Sequence, residues 1–370
     1  MRAMDRALAS AFLAVLSMAM AGSAAAQNSD VTATVIATGL NGPRGLKFGP
    51  DGNLYVAEAG TGGPNTTIGM CTQVPSPIGP YHGGPTARIS MIRPDGTRTT
   101  VVDGLPSAQS SLPTKDTIGV ADMAFMDGDL YALVAGGGCS HGNPDMPASV
   151  IKVDRKTETW RLIADLSQFV MTHPAAVIDP EDFEPDETFY SMIAVHGKLY
   201  VVGPNHGQVI EVARDGKIRQ VIDLSATQGH IVPTAIVFHD GILQVGNLNT
   251  FPIMPGSSKI FDISLGGKIL DTIPGFTTIL GLAYRYDQFY HHGSLYVLEL
   301  STAPGNPTPG TGKVVRLRRS GSIQDAVTGL TLPTAMTFGP DGNLYISNFG
   351  AATTAPGTGE IVQVRFAPFE

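Results

Sequence analysis

The feature that most restricts the fold of this chain is an eight-residue motif that occurs twice. The sequence Phe-Gly-Pro-Asp-Gly-Asn-Leu-Tyr begins at Phe48 and again at Phe338, 290 residues later. Each copy has an apolar stretch on both sides, and Asp-Gly between two apolar runs is typical of a tight β-hairpin. The two copies therefore predict similar hairpins, which indicates a fold built by repetition.

Four looser copies of the hairpin lie between the identical ones. They are centred on Met123–Tyr131, Met192–Tyr200, Ile236–Gln244 and Leu282–Tyr296. A third strand follows each of the six hairpins, at Ala87–Ile92, Ser149–Val153, Gln208–Val212, Ser258–Ile263, Gly312–Leu317 and Gly359–Val364. A fourth usually follows, at Thr99–Asp103, Thr159–Asp165, Lys217–Asp223 and Ile323–Thr328. Six units of about 57 residues predict an all-β, six-bladed β-propeller with four antiparallel strands per blade.

The last unit contains only three strands before the sequence ends. The segment Val31–Leu40 resembles the missing fourth strand, because its Val-Ile-Ala-Thr-Gly-Leu ending is similar to Ala326-Val-Thr-Gly-Leu in the fifth unit. We therefore predict that the N-terminal strand joins the last blade and closes the ring. Closure matters because an open ring would leave unpaired strand edges.

Residues 1–26 have the pattern of a secretory signal peptide. Two arginines precede an apolar run from Ala7 to about Ala21, and three alanines at 24–26 supply the small residues of a cleavage site. The run is short for a membrane span, and a retained signal anchor is the alternative. We expect a mature chain of residues 27–370 that forms a single propeller domain without a transmembrane segment, in the periplasm or secreted.

Composition excludes one class of protein and argues against a second. Only 15% of the residues are charged and 42% are hydrophobic, which excludes a polar disordered chain. The formal net charge of −8 argues against binding of nucleic acid. We expect a monomer whose partner is a small molecule, with a protein partner as the alternative.

The long loops of this chain are predicted to lie on one face of the propeller. The start of each first strand and the loop between the second and third strands share that face, called the top face here. Its loops are rich in Gly, Pro and Thr, and binding sites favour loops on a rigid scaffold. Cys71 and Cys139 fall in top loops of adjacent blades. In an exported protein, an even cysteine count predicts a disulfide between them, with two free buried thiols as the alternative.

Polar side chains recur where the second strand of each blade ends at the top face. Three positions after the tyrosine of the hairpin, or its equivalent, the six blades have Glu58, Val134, Gly203, Asn247, Glu299 and Asn348. Two carboxylates with amide oxygens could bind Ca²⁺, or could act as an acid and a base. Hydrogen bonding to the backbone is the alternative role for such a ring.

Further candidates lie near this ring. Arg44 and Asp122 are near the starts of first strands, and Arg44 could bind an anionic group or cap carbonyls. Asn205 and His206 follow the second strand of blade three, and His206 could act as a general base. The catalytic candidates are thus Glu58, Glu299 and His206, and the ligand-binding candidates are Arg44, Asp122, Asn205, Asn247 and Asn348. The acidic stretch Asp179–Glu187 is interpreted as a solvated linker, with cation binding as the alternative.

Several segments resemble the ScyD/ScyE family of exported bacterial propellers, named from cyanobacterial scytonemin biosynthesis. They are Gly42–Gly60, Leu130–Gly142, Gly203–Gly207, Pro233–Ile236, Val245–Pro252, Gly275–Ala283 and Pro309–Arg316. The resemblance implies an exported propeller, and some family members are linked to the making of an aromatic indole–phenol pigment. It supplies no catalytic residues.

More distantly, the strands resemble NHL repeats and gluconolactonase-type propellers. In the gluconolactonase group, Asn and acidic residues at the starts of inner strands bind metal. The corresponding positions here are Arg44, Ser191, Thr234 and Thr334, which do not fit that metal site. Three functions remain open: a small-molecule enzyme such as a lactonase, an esterase or an oxidative-coupling catalyst, a ligand- or protein-binding module, and a structural envelope protein.

Overall fold

The propeller fold is confirmed by the computed structural model, which describes residues 31–286, 293–351 and 355–366. Six antiparallel sheets form the blades, and the innermost strand of each sheet packs against the innermost strands of its two neighbours. The ring is therefore continuous around a central channel. The predicted signal peptide at residues 1–26 lies outside the described residues. Within them, no helix combines the length and apolar character needed to cross a bilayer.

The strands follow the predicted order closely. In chain order they are β1 (Val31–Leu40), β2 (Pro43–Phe48), β3 (Leu54–Glu58), β4 (His82–Ile92), β5 (Arg98–Gln109), β6 (Thr117–Ile118), β7 (Val120–Met126), β8 (Asp129–Val134), β9 (Ser149–Asp154), β10 (Thr159–Asp165), β11 (Ser191–Val195), β12 (Lys198–Gly203), β13 (Gln208–Val212), β14 (Ile218–Asp223), β15 (Pro233–His239), β16 (Ile242–Asn247), β17 (Ser258–Ser264), β18 (Ile269–Phe276), β19 (Ile279–Tyr286), β20 (Gly293–Glu299), β21 (Gly312–Leu317), β22 (Ile323–Leu330), β23 (Ala335–Phe338), β24 (Leu344–Asn348) and β25 (Gly359–Phe366). Two short helices, α1 (Leu166–Thr172) and α2 (Ser225–Gln228), lie between blades.

The blades have the predicted composition, with one addition. Blade one contains β2–β6, and the two-residue strand β6 extends it beyond the predicted four strands by pairing with the end of β5. Blades two to five contain β7–β10, β11–β14, β15–β18 and β19–β22. Blade six contains β23–β25 and β1.

Ring closure by the N-terminal strand is confirmed. β1 pairs antiparallel with β25, from Val31 opposite Phe366 to Leu40 opposite Gly359. The outermost strand of blade six therefore comes from the other end of the described chain. Apolar residues of both strands pack into the core between their blade and its neighbours.

The repeated motif stabilises both its own hairpin and the junction with the adjacent blade. The Tyr55 hydroxyl donates to the carboxylate of Asp51 in the hairpin turn over 2.8 Å. Its ring makes an edge-to-face contact with Phe125 of blade two, at a centroid distance of 5.1 Å. In the second copy, Tyr345 donates to Asp341 over the same 2.8 Å. Such aromatic pairs contribute about 0.5–1.5 kcal/mol beyond the area they bury.

The predicted disulfide is also confirmed. Cys71 and Cys139 are bonded, with their Cα atoms 6.3 Å apart. The bond joins the long top loops of blades one and two, which contain little regular structure. It holds these loops together beside the acidic stretch at residues 179–187.

Candidate functional site

The interpretation of the acidic stretch as a solvated linker is wrong, because three of its carboxylates are buried. Glu184 accepts hydrogen bonds from the Tyr81 hydroxyl and from His141 Nε2, each over 3.0 Å. Asp186 accepts from the backbone N–H and the hydroxyl of Ser140, over 2.8 and 2.6 Å. These donors belong to the top loops of blades one and two.

Glu187 completes this network on the side of blade three. Its carboxylate is fully buried, at 0% exposure, and accepts the backbone N–H groups of Thr188, Asn205 and His206 over 3.0, 2.9 and 2.8 Å. Hydrogen bonds of this kind compensate the cost of burying a carboxylate. We call Glu184, Asp186 and Glu187 the acidic clasp, because together they connect the top loops of three consecutive blades.

Both ring nitrogens of His141 face acceptors. Nε2 contacts Glu184 and Nδ1 lies 2.7 Å from the carbonyl oxygen of Gly137, an arrangement that suits an imidazolium with two N–H donors. Burial opposes this charge, but the hydrogen bond and the charge of Glu184 outweigh it and raise the pKa of His141. Burial also raises the pKa of Glu184, and the bond from His141 limits that rise.

The carboxylate of Glu58, a predicted catalytic residue, accepts hydrogen bonds from other groups of the protein. It is 0% exposed, and the guanidinium of Arg88 bonds to both of its carboxylate oxygens, over 2.9 and 3.1 Å. The backbone N–H of Asn41 donates to it over 2.8 Å, and the Ser90 hydroxyl donates as well. These four donors occupy the carboxylate without a ligand.

Glu299 has a similar arrangement in blade five. It accepts the backbone N–H of Thr277 over 2.7 Å, and the Lys313 ammonium lies 3.7 Å away. Burial raises the pKa of Glu299. The described contacts of Glu58 lie in blade one and those of Glu299 in blade five, so the structure does not bring the two carboxylates together.

The two asparagines of the ring bind backbone in the same way. The amide oxygen of Asn348 accepts the N–H of Thr331 over 2.8 Å. Asn247 accepts the N–H of Lys259 over 2.7 Å and donates to the carbonyl of Ile231 over 2.9 Å. All four polar residues at the ends of the second strands, Glu58, Asn247, Glu299 and Asn348, therefore accept a backbone N–H, which is the alternative role considered for them.

His206 and Asn205 belong to the clasp region. The Nε2 atom of His206 donates to the carbonyl of Glu184 over 3.0 Å, and its ring stacks on Phe183 at a centroid distance of 5.8 Å. Its Nδ1 has no hydrogen-bond partner among the described atoms. Asn205 donates to the carbonyl of Asp182 over 3.1 Å and accepts from the Thr188 hydroxyl. His206 is therefore a buried neighbour of the clasp.

Asp122 lies in the central channel. Its carboxylate accepts the backbone N–H groups of Met123 and Met192, over 2.8 and 2.9 Å, and lies 3.3 Å from the Lys47 ammonium. A Cβ atom at Gly45 would overlap this carboxylate, so the facing strand needs a glycine there. Burial raises the pKa of Asp122. The channel cavity here has a volume of only about 40 Å³, and residues of all six innermost strands line it.

Tyr190 crosses the top end of this channel. It precedes β11 in blade three, and its hydroxyl donates over 2.8 Å to the carbonyl of Thr334 in blade six, on the opposite side of the ring. Burial raises the pKa of Tyr190 to about 12, so it is a neutral hydrogen-bond donor at physiological pH. Tyr190 thus closes the channel cavity at its top end, and the half-buried ring is partly accessible from the top face.

Arg44 lies beside Tyr190. It is 8% exposed, and its guanidinium lies 5.9 Å from the centre of the Tyr190 ring. Its Nη2 atom donates to the Thr117 carbonyl over 2.6 Å and to the Asp116 carboxylate over 3.0 Å. Burial opposes the charge of Arg44, but Asp116 and Tyr190 outweigh burial and raise its pKa. A permanent positive charge therefore lies at the end of the channel.

Tyr190 packs at the edge of a cluster of apolar side chains. They come from blades four, five and six and are Leu248, Leu280, Leu300, Leu332 and Ala351. We call these residues, together with Arg44, Asp116 and Tyr190, the channel mouth. The sequence reasoning missed Tyr190, although an aromatic residue directly before an inner strand was a signal for it, because no other blade has an aromatic residue at that position.

A metal centre is not assembled in the described parts of the chain. Within residues 31–286, 293–351 and 355–366, no group of three or more His, Cys, Asp or Glu side chains is placed to hold a metal ion. The carboxylates considered for Ca²⁺, Glu58 and Glu299, are separated by two blade junctions. Each of them binds backbone or cationic groups of the protein instead.

Comparison with known proteins shows the fold and no family. No family model matches the chain, and none of the curated proteins does. Among solved structures, it is similar to a gluconolactonase from Xanthomonas campestris, with a TM-score of 0.54, 11% identity and coverage of 91% of this chain and 90% of that one. A glucose dehydrogenase has a TM-score of 0.54, 12% identity and coverage of 90% and 98%. A streptogramin B lyase has a TM-score of 0.50, 14% identity and coverage of 91% and 98%.

Proposed function

We propose that this protein is an exported, ScyD/ScyE-like propeller that binds a small organic molecule with a flat apolar ring at the channel mouth. The observation that carries the proposal is the half-buried ring of Tyr190, which packs against a cluster of buried leucines and lies beside a buried guanidinium. Sites for small molecules are mostly apolar, with a few fixed polar groups that orient the ligand. The channel mouth has this composition.

The ring of Tyr190 supports a ligand with an aromatic group. Its hydroxyl is held by Thr334, so the ring has a fixed orientation before any ligand arrives. Offset or edge-to-face contacts between aromatic rings contribute about 0.5–1.5 kcal/mol beyond buried area. A fixed ring also loses little conformational entropy when a ligand binds.

Two features support export. The N-terminal 26 residues have the signal-peptide pattern, and the disulfide between Cys71 and Cys139 is of a kind that persists in oxidising compartments. We propose that the mature protein acts in the periplasm or outside the cell, as a binding protein or as an enzyme. The same experiment separates these two activities.

The test is a panel of aromatic acids, phenols, indoles and lactones, followed by thermal unfolding and by product analysis. A molecule that binds the folded state raises the melting temperature. We expect at least one class to raise it in the wild type and in Tyr190→Phe, which keeps the ring, but not in Tyr190→Ala. The control is Tyr286→Ala, a tyrosine with 55% exposure at the opposite end of blade five.

The outcomes are distinct. A higher melting temperature together with product formation identifies an enzyme. A higher melting temperature without product formation identifies a binding protein. The proposed site would be contradicted if no class of compound raised the melting temperature, or if Tyr190→Ala showed the same rise as the wild type. Melting temperatures of the unliganded variants show whether each one is folded before ligand is added.

A further inference from the structure

The ion pair at the channel mouth is asymmetric in its exposure. Arg44 is almost completely buried, whereas the Asp116 side chain is 40% exposed. The guanidinium has two further contacts, the Thr117 carbonyl in β6 and the face of Tyr190. Arg44 is therefore held in place even when the carboxylate beside it changes position.

Asp116 occupies the end of a surface turn. The segment 110–116 connects β5 to β6, and Lys115 within it has a positive φ of 52°. The Asp116 side chain is 40% exposed, so water can hydrate its carboxylate when another group takes its place on Arg44. For Arg44, replacing the carboxylate of Asp116 by another carboxylate would cost little, because the guanidinium keeps an equivalent acceptor.

The chemistry of the ligand follows from these two features. A guanidinium binds carboxylates through parallel N–H donors, and Asp116 already places one carboxylate oxygen 3.0 Å from Nη2. The chain has a net charge of −8, so an anion is not attracted by the protein as a whole and depends on this local charge.

We propose that the molecule bound at the channel mouth carries a carboxylate, which replaces the carboxylate of Asp116 on Arg44. The apolar ring of the ligand then lies against Tyr190. Asp116 is an internal competitor: it accepts the hydrogen bond from Arg44 when no ligand is bound, and it lowers the affinity of the site for every ligand that carries a carboxylate. This inference rests on the proposed function, because it specifies the ligand of the same site.

The test compares matched acids and amides on the folded full-length chain. Phenylacetate and phenylacetamide, and indole-3-acetate and indole-3-acetamide, differ only in the charged group. Isothermal titration is carried out on the wild type, on Asp116→Asn and on the control Asp145→Asn, an exposed aspartate on the same face. Because the competing charge is removed, we expect Asp116→Asn to bind the acids about fivefold more tightly and the amides unchanged. Asp145→Asn should bind both like the wild type.

Each other result overturns a specific claim. Amides that bind as tightly as acids, or acids that bind Asp116→Asn no better than wild type, would show that no carboxylate exchange occurs, while the proposed binding site would stand. Equal tightening in Asp145→Asn would show a general charge effect. If neither acids nor amides bind to the wild type or to Asp116→Asn, the exchange and the aromatic-ligand site both fail.

Discussion

His141 Nε2 lies 3.0 Å from Glu184 Oε2, and both side chains are buried beneath the top loops. The histidine is two residues after Cys139, and Tyr81 of blade one donates to the same carboxylate. This pair therefore connects the disulfide-bonded loops of blades one and two to the segment that leads into blade three. Its protonation should affect the stability of the whole top face.

The first prediction is that stability decreases as pH rises above neutral. The pKa of His141 is raised on folding, so its contribution is complete below the ordinary value of 6.5 and is lost as pH rises through the folded value. The raised pKa of Glu184 acts in the same direction, because the folded state holds that proton more tightly. Urea unfolding between pH 5.5 and 8.5 should show the decrease.

His141→Gln should flatten this pH profile, and His82→Gln should not. His82 is exposed at the start of β4, so it is a control for the removal of a histidine. Parallel profiles for wild type and His141→Gln would show that the buried pair does not titrate in this range.

A second prediction concerns the acidic clasp. Glu187→Gln replaces an acceptor of three backbone N–H bonds by an amide that brings its own N–H₂ group against those donors. The free energy of unfolding should fall by about 2–3 kcal/mol, the usual loss for a buried hydrogen bond to a charged group. Glu181→Gln, an exposed residue of the same acidic stretch, should change it by less than about 0.5 kcal/mol. Equal stability of the two variants would show that burial of Glu187 contributes nothing.

A third prediction distinguishes a structural Glu58 from a catalytic one. Glu58→Gln leaves Arg88 without its charged partner, so the melting temperature should fall and the free energy of unfolding should decrease by about 2 kcal/mol. A purely catalytic carboxylate would give the opposite pattern, with turnover lost and stability unchanged. The exposed Glu158→Gln is the matched control.

A fourth prediction concerns the disulfide. Cys71 and Cys139 are 68 positions apart, and loop entropy alone assigns such a bond about 4 kcal/mol. Cys71→Ser with Cys139→Ser should reduce the free energy of unfolding by up to that amount. Amide exchange should increase first in the top loops of blades one and two, and unchanged exchange there would contradict the proposed role of the bond.

A fifth prediction concerns export. Full-length protein produced in a bacterium should be recovered from the periplasm or the medium with Gln27 as its first residue, as determined by N-terminal sequencing. Recovery of the chain in the cytoplasm with residues 1–26 intact would contradict cleavage and export.

The blades and their closure were predictable because their signals are local. Asp-Gly turns, alternating apolar residues and the similarity of Val31–Leu40 to other fourth strands require only neighbouring residues to be recognised. The disulfide was predictable because the repeat places Cys71 and Cys139 in top loops of adjacent blades. These predictions depend on strand periodicity, which tertiary contacts do not override here.

The candidate site was harder to predict because it depends on contacts between distant segments. Glu58 was placed correctly at the end of a second strand, but its partner Arg88 lies directly opposite on the next strand, and that pairing was not considered. The burial of Glu187 depends on backbone N–H groups of a loop in blade three. Nothing in an acidic sequence alone shows that such donors will face it.

The pairing of β1 with β25 has a consequence for how the molecule is made. The first described strand leaves the ribosome more than 300 residues before the strand that pairs with it. During synthesis β1 has an unsatisfied edge, and blade six cannot assemble until the last strand is available. The ring is therefore completed in one late step, and a chain that lacks β25 leaves two separated segments unpaired at once.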